Sequence, residues 1–460
     1  KDIQLALEEN SIYKADGTPY DLDRDGLKIY TTLNSHMQNY AEQSQQEYLK
    51  ILQLQFNNSW NGRDPFNFKE AKSLIDQGMR RSDRYQQLKA EGKTEEEILQ
   101  NFRTPARMSV FSWRGEIDTL MRPLDSIKYY KLMLRNAVMS MEPQTGYIRA
   151  WVGGTNFTHF KYDQVKMGTR QVGSTAKPFT YAVAIGNGGF SPCYTVANEP
   201  VSIDAGDGTD WTPKAYNPIP GNLTLKKALA NSQNYVTAYM MKQVGQTAVA
   251  TLTKNMGITS NVPAVPSICL GSFDASVYDM VGAYSVFVNH GVWTEPIYLL
   301  RIEDKNGNVI YERRPKVKVV LDEQTAYVMT DMLKAVVKEG TGVRLGWKYK
   351  LTNPIGGKTG TTQNNSDGWF MGITPELVTG VWTGAEDRAI HFSSTNFGEG
   401  ANTALPIFAL YMQKVYADPT LKYTKGDFAL PKGGIATIID CGAYTQQQAG
   451  ESELDKKLGF

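Results

Sequence analysis

Hydrophobic and polar positions along the chain fall into two regimes that meet near residue 135. Before it, the chain is polar until Leu27-Lys-Ile-Tyr-Thr-Thr-Leu33, which alternates with a period of two and predicts a strand with one buried face. Asn34 and Ser35 then stand as a helix cap ahead of an amphipathic stretch from Met37 to Phe56. Residues 57–107 are rich in charge and glutamine and contain helix formers such as Glu95-Glu-Glu-Ile-Leu-Gln100, so they read as a solvated, mostly helical accessory region.

Beyond Arg135 the pattern shortens. Strand-like runs at 137–141 and 147–152 flank Glu142-Pro-Gln-Thr-Gly146, a turn composition that predicts a hairpin. Residues 174–185 are apolar enough for a buried helix, and a Gly- and Pro-rich stretch follows to Pro220. Helical patterns return at 223–229, 236–244 and 276–289. A second hairpin is expected around Asp304-Lys-Asn-Gly307, an amphipathic helix over 323–338, and three strands near 355–361, 368–373 and 377–383. Early strands, a helical middle and late strands predict an α+β domain whose sheet is completed from both ends.

Length and charge narrow the picture. A chain of 460 residues has room for about three domains at the usual ~150 residues each. Lys and Arg number 49 against 47 Asp and Glu, so no global field recruits nucleic acid or a membrane surface, and a partner must be recognised locally. Cys193, Cys269 and Cys441 are far apart and leave the redox compartment open, and the four histidines show no metal-ligand spacing. No metal and no cofactor is expected. The first ten residues lack the apolar core of a signal peptide, and no run approaches the ~18 apolar residues of a membrane helix.

Three short motifs stand in order: Ser174-Thr-Ala-Lys177, Ser232-Gln-Asn234 and Lys358-Thr-Gly360. Together they resemble the set carried by β-lactamases and penicillin-binding proteins, which is a recognition and not a derivation. Ser-x-x-Lys alone arises on the order of once or twice by chance in such a chain, so the order and setting of the three carry the signal. A serine hydroxyl needs a base within reach, and a helix beginning near Gly173 brings Ser174 and Lys177 onto one face. Lys177 accepts a proton only if neutral, a state favoured by burial and by a second cation, for which Lys358 is the candidate. Gly173 and Pro178 suit a nucleophile at a helix N-terminus. Ser232 and Asn234 read as a short loop between two helices. The hydroxyl there can relay a proton to a leaving amine and the amide can hold a substrate carbonyl or the lysine, although Ser and Asn are also ordinary helix caps. Lys358, Thr359 and Thr361 offer one charge and two hydroxyls to a terminal carboxylate, on a strand whose glycines, Gly360 among them, let an extended peptide dock. A phosphate-binding reading of Gly-Lys-Thr fails because Thr352 and Asn353 occupy the region where that loop requires glycine.

Longer segments are similar to the transpeptidase domain of bifunctional, class A penicillin-binding proteins. Met141 to Gly154 resembles that family's opening hairpin and Arg170 to Tyr181 its active-site helix. Further matches run through Trp211-Thr-Pro-Lys, Ala228 to Ser232, Ala283 to Gly291, Gly340-Thr-Gly342 and Asp367-Gly-Trp-Phe370. The resemblance covers roughly residues 135–413. It implies a β-lactamase/transpeptidase-like fold, an antiparallel sheet flanked by helices with a helical subdomain, preceded by a linker and accessory region. The expected division is 1–134 linker and accessory region, 135–417 transpeptidase domain and 418–460 tail. The resemblance also implies an oxyanion hole formed by the amides of Ser174 and Thr361. The implied activity is D,D-transpeptidation, cross-linking peptidoglycan stem peptides through a Ser174 acyl-enzyme. Partners would be a D-Ala-D-Ala donor, an amine acceptor and β-lactams, with no nucleic acid. A D,D-carboxypeptidase or β-lactamase-type hydrolase and a non-catalytic penicillin-binding sensor are the alternatives. The family's glycosyltransferase motif is missing, which implies a piece of a longer protein. That protein would be membrane-anchored elsewhere and act on the extracytoplasmic face of the bacterial cytoplasmic membrane. Residues 57–107 match nothing assignable from sequence.

Overall fold

The apolar alternation after residue 134 builds one five-stranded antiparallel sheet. The computed structural model describes residues 2–206 and 208–444. Two strands come from the early part of the chain, β1 (Arg135–Met141) and β2 (Ile148–Val152), and three from the late part, β3 (Gly356–Thr361), β4 (Asp367–Ile373) and β5 (Val378–Gly384). Their order is β3-β4-β5-β1-β2, so the sheet is indeed completed from both ends and the expected α+β class holds. Register runs Arg135 opposite Gly384, and Lys358 opposite Met371.

Every residue of β1, β4 and β5 is buried, as strands covered on both faces must be. Their period of two divides the side chains between two cores. Ala137, Met139, Met141, Trp369, Met371 and Ile373 face one way and Val138, Phe370 and Val381 the other. Helix α1 (Ser35–Ser59) and helix α7 (Leu405–Ala417) cover the second face. The first face meets α2 (Lys177–Gly186), α3 (Leu225–Ala230), α4 (Asn234–Val244), α5 (Val277–Val288) and α6 (Glu323–Glu339). Helix α1 starts where the sequence places it, with the Asn34 side chain accepting from the amides of His36 and Met37. None of the described helices is long and apolar enough to cross a membrane.

Two expectations change. The strand Lys28–Thr31 forms, but all four residues are exposed, because it lies at the edge of a small three-stranded sheet over a core of only Ala6, Leu7, Leu299 and Ile302. The accessory region is helical at Leu74–Arg81, Asp83–Ala90 and Glu95–Arg103, yet Ala106–Ser112 and Gly115–Met121 pair as an antiparallel hairpin. That hairpin buries little on either face, so it leaves no alternating signal for sequence reasoning to detect. Lys131 ties the following helix to Glu386 and Asp387 at 2.6 Å each.

Of the expected tail, 418–460, residues 445–460 lie outside the described ones. The described part is bound to the domain by a disulfide between Cys193 and Cys441, a pairing the cysteine spacing did not reveal. Phe428 is buried in the first-face core and Lys334 pairs with Asp427.

Candidate active site

The three motifs converge at one end of the sheet. Ser174 lies in a 3-10 turn, Gly173–Ala176, which runs directly into α2 at Lys177, so Ser174 and Lys177 share one face of a tight turn. Pro178 occupies the first turn of α2, where a missing N–H costs nothing. The turn is held from below: Tyr284 donates to the carbonyl of Thr175 at 2.6 Å, and Val172 and Gly173 donate to the carbonyls of Phe273 and Gly271. Gly173 has φ +53°, and a Cβ there would lie 2.8 Å from the carbonyl oxygen of Thr361, so only glycine lets β3 approach this closely. Gly360 is equally constrained, since its Cβ would meet Thr175 Cγ2 at 2.8 Å and the Val172 carbonyl at 2.9 Å.

Lys177 and Lys358 are both fully buried. Lys177 Nζ donates to Asn234 Oδ1 at 2.6 Å, to Ser232 Oγ at 3.2 Å and to the Ser232 carbonyl. Lys358 Nζ donates to Ser232 Oγ at 2.9 Å and to the Thr359 carbonyl at 3.0 Å. One hydroxyl therefore sits between two amines. Burial, and then the Lys358 charge, hold Lys177 well below the ordinary lysine range. Burial brings Lys358 down to about 7. The half-buried Ser174 hydroxyl makes no hydrogen bond among the described residues; the Lys177 amine is engaged by Ser232 and Asn234.

The Ser-x-Asn segment is not wholly a loop. Asn234 is the first residue of α4, and Ser232 is the middle residue of the three-residue turn between α3 and α4, with φ +55°, a conformation that a non-glycine residue holds only under local constraint. The Asn234 amide is used on both sides, taking Lys177 on its oxygen and donating from Nδ2 to the carbonyl of Lys214 at 2.6 Å. Lys214 thereby joins the site through its backbone, a role hinted at only by the Trp211-Thr-Pro-Lys string. On β3, Thr359 Oγ1 lies 2.6 Å from Thr341 Oγ1, and Thr361 Oγ1 accepts from the Gly400 amide at 3.1 Å. All eight residues singled out from sequence are thus found on two abutting segments, 172–177 and β3, and the bend at 232–234.

The penicillin-binding protein transpeptidase domain family matches residues 136–386, and the penicillin-binding protein middle domain matches 57–134, which assigns the accessory region that sequence reading left unmatched. The chain is 34% identical over 308 residues to Penicillin-binding protein 1A of Aquifex aeolicus, covering 67% of this chain and 41% of that protein. It is 32% identical over 283 residues to Penicillin-binding protein 1B of Vibrio cholerae, covering 61% and 36%. The chain spans about two fifths of the length of these curated relatives. In fold it is similar to Penicillin-Binding Protein 1A from Haemophilus influenzae, with TM-score 0.66, 20% identity, and coverage of 94% of this chain and 72% of that one. It is also similar to PonA1 from Mycobacterium tuberculosis, with TM-score 0.63, 21% identity and 95% coverage of both chains. A buried lysine pair around one serine hydroxyl, set between an antiparallel sheet and its helices, is thus found in a chain that belongs to the penicillin-binding protein transpeptidase family.

Proposed function

We propose that this chain is a D,D-transpeptidase and that Ser174 is its nucleophile. The observation that carries the reading is the fully buried amine of Lys177, whose proton affinity burial and the Lys358 charge lower, three residues along one turn from a Ser174 hydroxyl that no described group engages. Ser174 Oγ attacks the carbonyl of the penultimate D-alanine of a stem peptide, and Lys177 takes its proton. The oxyanion is received by the amides of Ser174 and Thr361, whose segments abut through Gly173. Ser232, hydrogen-bonded to both lysines, passes a proton to the departing D-alanine amine, and Asn234 keeps Lys177 in place. The substrate carboxylate docks on the hydroxyls of Thr359 and Thr361 along Gly360, with Lys358 supplying positive potential. An amine of a neighbouring stem peptide then resolves the acyl-enzyme. β-Lactams present a similar carbonyl beside a carboxylate and acylate the same oxygen. The Cys193–Cys441 bridge supports action on the extracytoplasmic face, since such bonds persist in oxidising compartments. We retain 1–134, 135–417 and 418–460 as the proposed organisation.

The test is labelling with a fluorescent penicillin, with and without Ser174→Ala. A stable label on the wild type that vanishes in the variant is expected; equal labelling of both removes Ser174 from the reaction. Rapid loss of the wild-type label to water would replace the transferase with a hydrolase, and transfer to an added D-amino acid separates the two.

A further inference from the structure

Behind the turn that carries Ser174 lies a charged pair outside the three motifs. Asp367, at the start of β4, is completely buried, and both its oxygens are used. Oδ1 accepts from Arg170 Nε at 2.7 Å and from Trp382 Nε1 at 3.0 Å. Oδ2 accepts from Thr362 Oγ1 at 3.1 Å and Ser366 Oγ at 2.8 Å. The Arg170 guanidinium is equally committed: Nη1 and Nη2 donate to the carbonyls of Glu386 and Ala385, and its plane lies over the Trp382 ring at 4.6 Å. A buried ion pair with every arm satisfied has one low-energy geometry, so it behaves as a rigid joint.

What the joint connects is informative. Arg170 leads through Gln171 and Val172 into Gly173-Ser174, while Thr362 directly follows Thr361. The carboxylate therefore ties the stretch that sets the Ser174 amide to the stretch that sets the Thr361 amide. Trp369 Nε1, on β4 opposite Gly360, donates to the Gln171 carbonyl at 2.9 Å and ties the Ser174 stretch to the strand that pairs with β3. On the cleft side the two segments abut at Gly173 and Gly360, where glycine sets how close they come.

We propose that Arg170 and Asp367 are positioning residues that fix the separation of the two oxyanion-hole amides. This rests on the acyl-enzyme reading given above. Neither side chain touches the substrate; the pair acts by holding two backbone donors at the spacing the developing oxyanion requires.

The experiment uses the full chain and a penicillin whose acyl-enzyme carbonyl is followed by infrared difference spectroscopy. Acylation is resolved by stopped flow into a dissociation constant and a first-order rate constant. In Asp367→Asn the rate constant falls by about 10-fold or more, less than the ~100-fold loss seen when an oxyanion donor is removed outright, while the dissociation constant stays within about twofold. The carbonyl band of the adduct moves to higher wavenumber, because weaker hydrogen bonds polarise it less. Thr362→Val, which removes one neutral ligand of Asp367, gives the same changes at smaller size and covers the case in which Asp367→Asn fails to fold. A lowered melting temperature with unchanged carbonyl band and acylation rate in the folded variants overturns the proposal and leaves the pair a purely structural one. A wild type that forms no adduct on Ser174 overturns the acyl-enzyme reading instead, and the positioning role with it.

Discussion

Replacing Lys358 by methionine removes one of the two amines flanking the Ser232 hydroxyl and keeps an unbranched side chain of similar length. Bonds of 3.2 and 2.9 Å to the same oxygen place the two nitrogens within about 6 Å of each other. At an effective dielectric constant of ~20, two unit charges at ~6 Å repel by roughly 3 kcal/mol, equivalent to about two pH units in the titration of Lys177. Because burial brings Lys358 down to about 7, its charge is present about half the time at neutral pH, and the realised effect is nearer one unit. Loss of that charge raises the Lys177 pKa, but burial, the larger cause, keeps it below the ordinary lysine value. A higher pKa means more protonated amine at neutral pH, hence slower acylation that recovers as pH rises. The second-order rate of labelling by a fluorescent penicillin, followed from about pH 5 to about pH 10, is expected to show its acid limb displaced upward by about one to two pH units. An acid limb at the wild-type position, with the rate lowered by one factor at every pH, would refute the electrostatic role of Lys358. Stability changes in a defined sense too. An unfolded lysine titrates near ~10.4, so between about 7 and that value the unfolded chain binds the extra proton and wild-type stability rises with pH. Any neutral-pH gain in melting temperature from Lys358→Met therefore shrinks on going alkaline.

Other outcomes follow from the same geometry. Ser232→Gly relieves a left-handed conformation that costs a side-chain-bearing residue about 1–2 kcal/mol but removes the hydroxyl to which both buried lysines donate, so melting should change little. Transfer to an amine acceptor, measured by chromatography of products, should nevertheless fall by about 10²-fold or more through loss of the proton relay. Cys193→Ser opens a bridge between positions 248 residues apart and should cost about 2–4 kcal/mol in urea unfolding under oxidising conditions. Reductant should bring the wild type to the same stability, and a variant as stable as the oxidised wild type would show that the tail is held by packing alone.

The sheet strands were legible because β1, β4 and β5 are runs of β-formers bounded by Gly, Pro and polar turns, and burial on both faces leaves such runs nearly continuous. Helix α6 was legible from its 3.6-residue period and its Gly340 stop, and α1 from its Asn34 cap. Residues 106–121 were not, since the only buried residues of the two hairpin strands, Val110 and Phe111, are adjacent in sequence and impose no period. The Cys193–Cys441 bridge was hidden for another reason: which cysteines meet is decided by the path of the whole chain. Within the site, Ser174 and Lys177 were readable from local spacing, whereas the reach of Asn234 to the Lys214 carbonyl and of Arg170 to Asp367 depends on tertiary placement that no local pattern encodes.

The seam between β1 and β5 pairs residue 135 with residue 384, joining strands from opposite ends of the domain. During synthesis β1 emerges early, buried on both faces in the finished sheet, and beyond its hairpin partner β2 must wait for nearly the whole domain before its other neighbour, β5, exists. Native pairing across so large a loop is slow to nucleate, and the waiting strand is an adhesive surface for other nascent chains. A chain interrupted before residue 378 is accordingly expected to be a substrate for chaperones and proteases, not a smaller working protein.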